Sequence, residues 1–294
     1  MVDISSVTLL IYDPAPWAAD LGTTGLACPH ILPTKRLVGK LYRSRIDETS
    51  RFAVHDGVRI HYRDWAGLDE NAPPVVFVPG MTDVAADYDG VADVIGRRTI
   101  VVELRGHGLS DAPPKGYHLD DHVADIDAVV GDAVGPSSPV HLMTFSRGTA
   151  YTFGWIEQHP ERVLSLSIGD YPAREIAIPV AVADSLLQKR WRGTLVSDRL
   201  DAAAAVGKFA ASRDHPRWDL VAELAGGGVP VLVVRSTATA PLNDDDWACY
   251  HELDAPIELV HFDDSPHDIF RPDRSRYPRL VRDLVARADE RVRR

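Results

Sequence analysis

Residues 141–151 read HLMTFSRGTAY, and the prediction of the fold rests on this stretch. An apolar run leads to Ser146 and gives way to Gly148 and a mostly apolar segment that ends near Pro160. This pattern predicts a buried strand, a sharp turn that carries Ser146, and a buried helix. A turn this tight needs small residues two positions before and after the serine. Gly148 meets this requirement, whereas Thr144 stands where glycine is usual.

Similar apolar runs recur along the chain with amphipathic helical patterns between them. Continuous runs of this kind are typical of strands that are buried on both faces of a sheet. Before them, RFAVHDGVRIHYRDW at 51–65 alternates around Asp56-Gly57 and predicts an antiparallel hairpin. We therefore expect an α/β fold with a doubly wound, mostly parallel sheet of about eight strands. The runs are PPVVFVPG (73–80), RTIVVELRG (98–106), VLSLSIGDYP (163–172), VPVLVVRS (229–236) and PIELVHF (256–262).

The pattern of apolar and polar residues divides the chain into three parts. Residues 1–50 show no clear period and are interpreted as an N-terminal extension. Residues 51–171 and 229–294 form the predicted α/β core. Residues 172–228 are too long for a simple crossover, and we expect a helical cap, or lid, over the carboxyl edge of the sheet. Its predicted helices lie near 181–192, 199–212 and 217–225.

Composition narrows the classes of partner. The chain has 32 basic and 43 acidic residues and a net charge of −11, which argues against binding nucleic acid. No apolar run approaches the roughly 20 residues that span a bilayer. The two cysteines, Cys28 and Cys249, suit a reducing cytoplasm. No metal-ligand spacing or phosphate-binding loop is present, so we expect no cofactor, no metal and a small-molecule substrate. Whether the protein forms a homodimer stays open.

Two motifs upstream of Ser146 relate the chain to a known family. FVPGMTD occupies residues 77–83, and LRGHGLSD occupies residues 104–111. From about residue 51 to residue 294 the sequence resembles the α/β-hydrolase superfamily. LRGHGLSD matches that family's turn after its fourth strand, and FVPGMTD stands at its His-Gly oxyanion loop, with Pro79 in place of the histidine. The resemblance implies that the backbone N–H groups of Met81 and Arg147 would bind the oxyanion.

The resemblance also implies a late histidine as the general base. His267 follows the last predicted strand and precedes the last predicted helix, and it matches the family's catalytic histidine. We expect it to deprotonate Ser146. His261, within the last strand, is interpreted as a core histidine, and His107 as a structural one.

The acid of the triad is harder to assign. The family most often carries it after the strand that here ends VVRS, but residues 239 and 240 are Thr and Ala. Some members carry it one strand earlier, where Asp170 ends SIGD, 24 residues after Ser146. Neighbouring strands lie about 5 Å apart, so both strand ends can reach one imidazole. We favour Asp170. Asp244 and Asp246 stay as alternatives, although with Asp245 they also suit the start of a helix.

Together these residues predict a cofactor-free serine hydrolase that acts on a carboxylic ester or lactone. Ser146 would attack the carbonyl, His267 would move the proton and Asp170 would orient His267. The alternative is a non-hydrolytic protein on the same fold: a lyase, a cyclase, an acyltransferase or a ligand-binding receptor. Pro79, Thr144 and the missing acid at the usual position motivate that alternative.

Overall fold

The computed structural model describes residues 46–293. Most of the predicted N-terminal extension, residues 1–50, therefore lies outside the described residues. Its last residue, Ser50, already begins the first strand.

A single eight-stranded sheet forms the centre of the molecule. The order of its strands is β1-β2-β4-β3-β5-β6-β7-β8, in which β1 pairs antiparallel with β2 and β2 antiparallel with β4. All the other neighbours are parallel, which confirms the predicted mostly parallel sheet that an antiparallel hairpin opens. The strands are β1 Ser50–His55, β2 Val58–Trp65, β3 Val75–Val78, β4 Thr99–Val102, β5 Val140–Phe145, β6 Val163–Gly169, β7 Val231–Arg235 and β8 Ile257–His261.

Helices cover both faces of the sheet. Alternate residues of one strand point to opposite faces, so Val76 packs into one apolar core while Val75 and Phe77 pack into the other. This two-sided burial explains why the parallel strands are continuously apolar. The helices are α1 Val91–Ile95, α2 Leu119–Val134, α3 Gly148–Gln158, α4 Ala183–Leu187, α5 Ala202–Ala211, α6 Trp218–Gly226, α7 Asp244–Glu252 and α8 Arg276–Val292. None of the helices within residues 46–293 has the length and apolar character needed to cross a bilayer.

The segment between β6 and β7 contains α4, α5 and α6, close to the predicted helical stretches. The first stretch, 181–192, was predicted too long. Residues 190–191 pair instead with residues 194–195 in a small hairpin. Arg192 and Gly193 turn the chain there with φ of +47° and +83°, which a helix cannot accommodate. The treatment of this segment as a separate cap stays a prediction.

Candidate active site

Ser146 lies on the turn between β5 and α3. Its φ is +50°, a left-handed conformation that a non-glycine residue keeps only where its surroundings impose it. Its N–H donates to the carbonyl of Gly169 on β6 over 2.8 Å. At Gly148 a Cβ atom would lie 2.2 Å from the Val78 carbonyl oxygen, so the turn tolerates no side chain there. The predicted need for a small residue after the serine is therefore met by a close approach of two backbones.

Thr144 takes the place of the usual glycine without leaving a polar atom unpaired. Its hydroxyl donates to the Ser167 carbonyl over 3.0 Å and accepts from the Thr149 hydroxyl over 2.8 Å. Its carbonyl accepts from the Tyr277 hydroxyl over 2.9 Å. A buried hydroxyl that makes both of its hydrogen bonds costs little free energy. Threonine in place of the usual glycine is therefore compatible with the turn.

His267 bridges the serine and an aspartate. Its Nε2 lies 2.9 Å from Ser146 Oγ, and its Nδ1 lies 2.6 Å from Asp170 Oδ2. The imidazole stacks on Phe145, with ring centroids 5.1 Å apart and an interplanar angle of 28°. These contacts fix the plane of the ring and the direction of both nitrogens. The three residues selected from the sequence thus lie in one hydrogen-bonded line.

Asp170 is fully buried at the end of β6 and also adopts a positive φ, +48°. Its N–H donates to the Val234 carbonyl over 2.7 Å. Ser236 donates twice to its carboxylate, from the N–H to Oδ1 and from the hydroxyl to Oδ2, each over 2.8 Å. These bonds stabilise a charged carboxylate in a buried setting. Sequence reasoning missed Ser236, although it is the first residue after β7.

The alternative acids are engaged elsewhere. Asp246 accepts two bonds from the Arg174 guanidinium, each over 3.0 Å. Asp244 is exposed and pairs with Arg235. Both lie in the first turn of α7, as expected, but the N-cap is Asn243, whose side chain accepts from the Asp246 N–H over 2.8 Å.

The loop after β3 lies directly beside the serine. A Cβ atom on Gly80 would be 3.1 Å from Ser146 Cβ, and the Gly80 N–H donates to Asp83 Oδ2 over 2.9 Å. Within residues 46–293 the backbone N–H groups of Met81 and Arg147 have no hydrogen-bond partner. Both groups are therefore available to an oxygen held next to Ser146.

His107 supports this loop from behind. Its Nε2 lies 2.6 Å from the Met81 carbonyl oxygen, and burial lowers its pKa to about 3. Its Nδ1 lies 3.1 Å from the Leu104 carbonyl oxygen and 3.2 Å from that of Arg105, so both ring nitrogens face backbone oxygens. The structural role expected for His107 is thereby explained.

His261 was expected in the core, but it is exposed, because β8 is the edge strand of the sheet.

The small hairpin between α4 and α5 contacts both loops of the site. Trp191 donates its indole N–H to Asp83 Oδ1 over 2.7 Å, and its ring lies 6.2 Å from that of His267. Arg192 binds both oxygens of Asp268, at 2.7 and 3.0 Å, next to His267. Burial raises the pKa of Asp83. Neither Asp83 nor Trp191 was identified as a site residue from the sequence: Asp83 ends the FVPGMTD motif, but its contact with Trp191 arises only from tertiary packing.

The Arg147 side chain forms a structural ion pair. Its guanidinium binds Glu175 Oε1 over 2.7 Å and the Tyr171 hydroxyl over 3.3 Å, and it also donates to the Ile176 carbonyl. In the structure it pairs with Glu175. Across residues 46–293, no group of three or more His, Cys, Asp or Glu side chains is arranged to hold a metal ion.

Known proteins share this architecture. The model of a family described as "alpha/beta hydrolase fold" matches residues 73–265. A non-heme chloroperoxidase from Streptomyces lividans is 37% identical over 90 residues, which is 30% of this chain and 32% of that protein. The match thus spans about a third of the length of this curated relative.

Two solved structures resemble the fold as a whole. An esterase from Exiguobacterium antarcticum is 21% identical, with a TM-score of 0.64 over 81% of this chain and 99% of its own. An enol-lactonase from Burkholderia xenovorans is 18% identical, with a TM-score of 0.65 over 80% of this chain and 100% of its own. At these identities the likeness concerns the fold alone. The family match, together with this fold, confirms the resemblance found in the sequence, and the chain belongs to the α/β hydrolase fold family.

Proposed function

We propose that this protein is a serine hydrolase that cleaves a carboxylic ester or lactone of a small organic substrate. The observation that supports this most is the position of His267, 2.9 Å from Ser146 Oγ and 2.6 Å from Asp170 Oδ2. A serine, a histidine and a buried acid in this relation are the parts that acyl transfer requires. Their chain order, Ser146, Asp170 and His267, is that of this fold.

The reaction proceeds through an acyl-enzyme. Ser146 Oγ attacks the carbonyl carbon while His267 Nε2 takes its proton and passes it to the leaving alkoxide. Asp170 holds the Nδ1 proton and stabilises the imidazolium, and the two bonds from Ser236 keep its carboxylate in line. Water then attacks the acyl group, with His267 as its base, and Ser146 is restored.

The negative charge that develops on the carbonyl oxygen needs donors. The N–H groups of Met81 and Arg147 serve this purpose, and one such donor is worth about 3–4 kcal/mol of barrier. His107 acts indirectly, because its bond to the Met81 carbonyl fixes the peptide of that loop.

A fluorophosphonate probe tests the proposal. We expect one equivalent of label on Ser146, located by peptide mass spectrometry, and none on Ser146→Ala or on heat-denatured wild type. A panel of activated esters and lactones of different acyl size then identifies the preferred substrate. Folded wild-type protein that takes up no label at Ser146 would contradict the proposal.

A second candidate follows from the match to the chloroperoxidase. An acyl-enzyme accepts nucleophiles besides water: hydrogen peroxide would release the acyl group as a peracid, which oxidises halide ion to hypohalous acid and becomes the carboxylate, and an alcohol would accept the acyl group as a new ester. Bromination of a phenol by the purified protein with hydrogen peroxide, bromide and acetate, at a rate above ester hydrolysis, would favour this candidate. A cytoplasmic location, a homodimer and the absence of a cofactor stay as proposals.

A further inference from the structure

Lys208 is a buried lysine outside the salt bridges that the structure describes. It lies on α5, and 2% of the residue is exposed. Its Nζ lies 3.5 Å from His122 Nε2 and 5.8 Å from the ring centroids of Tyr117 and Tyr151. In the part of the chain that the structure describes, no carboxylate forms a salt bridge with it. Buried lysines are normally paired, so this amine lacks the partner that its chemistry requires.

The one acid that interacts electrostatically with Lys208 among the described residues, Asp125, is already occupied. Asp125 binds the Arg105 guanidinium through both oxygens, at 2.5 and 2.6 Å. Burial lowers the pKa of Lys208 well below its usual range. An anion that bound beside Nζ would raise the pKa of Lys208 again, and its amine would then carry a positive charge.

His122 adds a second unsatisfied group. It is fully buried, stacks on Tyr151 with ring centroids 4.0 Å apart, and its Nδ1 has no hydrogen-bond partner among the described residues. The Nε of Arg147, whose guanidinium lies over the same tyrosine ring, is likewise unpaired. Buried polar atoms without partners are rare and are usually satisfied by water or by a ligand.

Backbone contacts connect Lys208 to the side of the site that carries the oxyanion loop. The Asp201 N–H, at the start of α5, donates to the Gly106 carbonyl, and the Gly108 N–H donates to the Arg199 carbonyl, each over 2.9 Å. His107, between these glycines, contacts the Met81 carbonyl. From the other side, Tyr151 is three residues beyond Gly148 in α3, about 4.5 Å further along the helix axis. The loop from Gly106 to Gly108 and the first turns of α3 thus link the surroundings of Lys208 to the turn that carries Ser146.

We propose that Lys208, with His122, binds an acidic group of the substrate, a carboxylate that is separated by a few bonds from the ester carbonyl. This inference rests on the proposed function and narrows its substrate class to acid-bearing esters. The carboxylate accepts from Lys208 Nζ and supplies the missing counter-charge, while Ser146 attacks the ester carbonyl.

Matched esters test this inference. Monomethyl succinate, glutarate and adipate are each compared with the methyl alkanoate in which a methyl group replaces the carboxylate. We expect wild type to prefer at least one acid over its neutral partner, and Lys208→Met to reduce that ratio of kcat/KM by about 10- to 100-fold. The ratio does not depend on the fraction of folded enzyme. Lys115→Met removes the same charge at an exposed position and should keep the wild-type ratio.

A binding measurement separates this inference from the proposed function. Glutarate, succinate and adipate are titrated by calorimetry into Ser146→Ala, which cannot turn over, and into the double variant with Lys208→Met. Binding that weakens at least tenfold without Lys208 supports the inference even if no ester is hydrolysed. Equal binding to both proteins, or an unchanged ratio of kcat/KM in Lys208→Met, overturns it. Hydrolysis of neutral esters alone would leave the proposed function standing and remove the acidic substrate class.

Discussion

Trp191 donates its indole N–H to Asp83 Oδ1 over 2.7 Å, although the two residues lie on separate segments of the chain. Asp83 uses its other oxygen to accept from the Gly80 N–H over 2.9 Å. One buried carboxylate thus joins the hairpin between β6 and β7 to the loop beside Ser146. The position of that loop depends on a residue that is distant in sequence.

Trp191→Phe should affect both stability and catalysis. The variant keeps an aromatic ring near His267 but leaves Asp83 Oδ1 without its indole donor. Arg192 Nη1 still lies 3.7 Å from this oxygen, and the loss of a hydrogen bond to a buried acceptor costs about 1–3 kcal/mol, which urea unfolding measures. Because Asp83 also holds Gly80, we expect kcat/KM for an activated ester to fall about tenfold through misplacement of the oxyanion loop.

Trp155→Phe is the matched control for this prediction. It removes an indole bond to another carboxylate, Asp127, at 3.1 Å in the C-terminal half of α3. We expect a loss of stability with kcat/KM unchanged. Equal losses of activity in the two variants would show that Trp191 acts through stability alone.

Asp170→Asn should lower kcat by about 10⁴-fold with little change in KM, because an amide no longer holds the Nδ1 proton of His267 or stabilises its imidazolium. Steady-state kinetics on the best ester of the panel measures the effect. Asp244→Asn changes an exposed side chain and should behave as wild type. If Asp170→Asn keeps wild-type kcat while Asp244→Asn or Asp246→Asn abolishes it, the assignment of the acid is wrong.

The sheet could be predicted because its signal is local. Val75, Val76 and Phe77 are all apolar since both faces of β3 are buried, and such a run is visible without knowledge of its neighbours. Ser146 and Gly148 were identifiable for a related reason. A tight turn between a strand and a helix restricts the residues at fixed positions around it.

Contacts between distant segments could not be predicted in this way. The bond from Trp191 to Asp83 joins a hairpin to a loop, and the sequence around Trp191 favoured a continuous helix. Ser236 binds Asp170 only because β6 and β7 are neighbours in the sheet. Neither contact is marked by a periodic pattern or a motif in the sequence, because its geometry arises from tertiary packing.

Gly148→Ala should disrupt the turn that carries Ser146. The new methyl group would lie 2.2 Å from the Val78 carbonyl and 2.3 Å from that of Pro79, and backbone cannot move aside as a side chain can. We expect the free energy of unfolding to fall by about 3 kcal/mol or more. Gly226→Ala, at the end of α6 with nothing within 4 Å, should stay within about 0.5 kcal/mol of wild type or above it. Equal stability of both variants would contradict the close approach at Gly148.

His141 should make stability depend on pH in the acid range. It is fully buried at the start of β5 and contacts the Ser165 hydroxyl over 2.9 Å, and burial lowers its pKa to about 4. The unfolded value is about 6.5, so between these two pH values the unfolded chain binds a proton that the folded chain does not. The free energy of unfolding therefore falls as pH falls through this window, by about 1.4 kcal/mol per pH unit from this one residue.

Carboxylates titrate in the same range, so the contribution of His141 is measured as a difference between variant and wild type. Urea unfolding from pH 4.5 to pH 6 should give His141→Gln a slope shallower by that amount. His251→Gln makes the same replacement at an exposed position of α7 and should keep the wild-type slope. An unchanged slope in His141→Gln would mean that His141 is already protonated in the folded protein and that its contact with Asp289 Oδ1, at 3.3 Å, is a true ion pair.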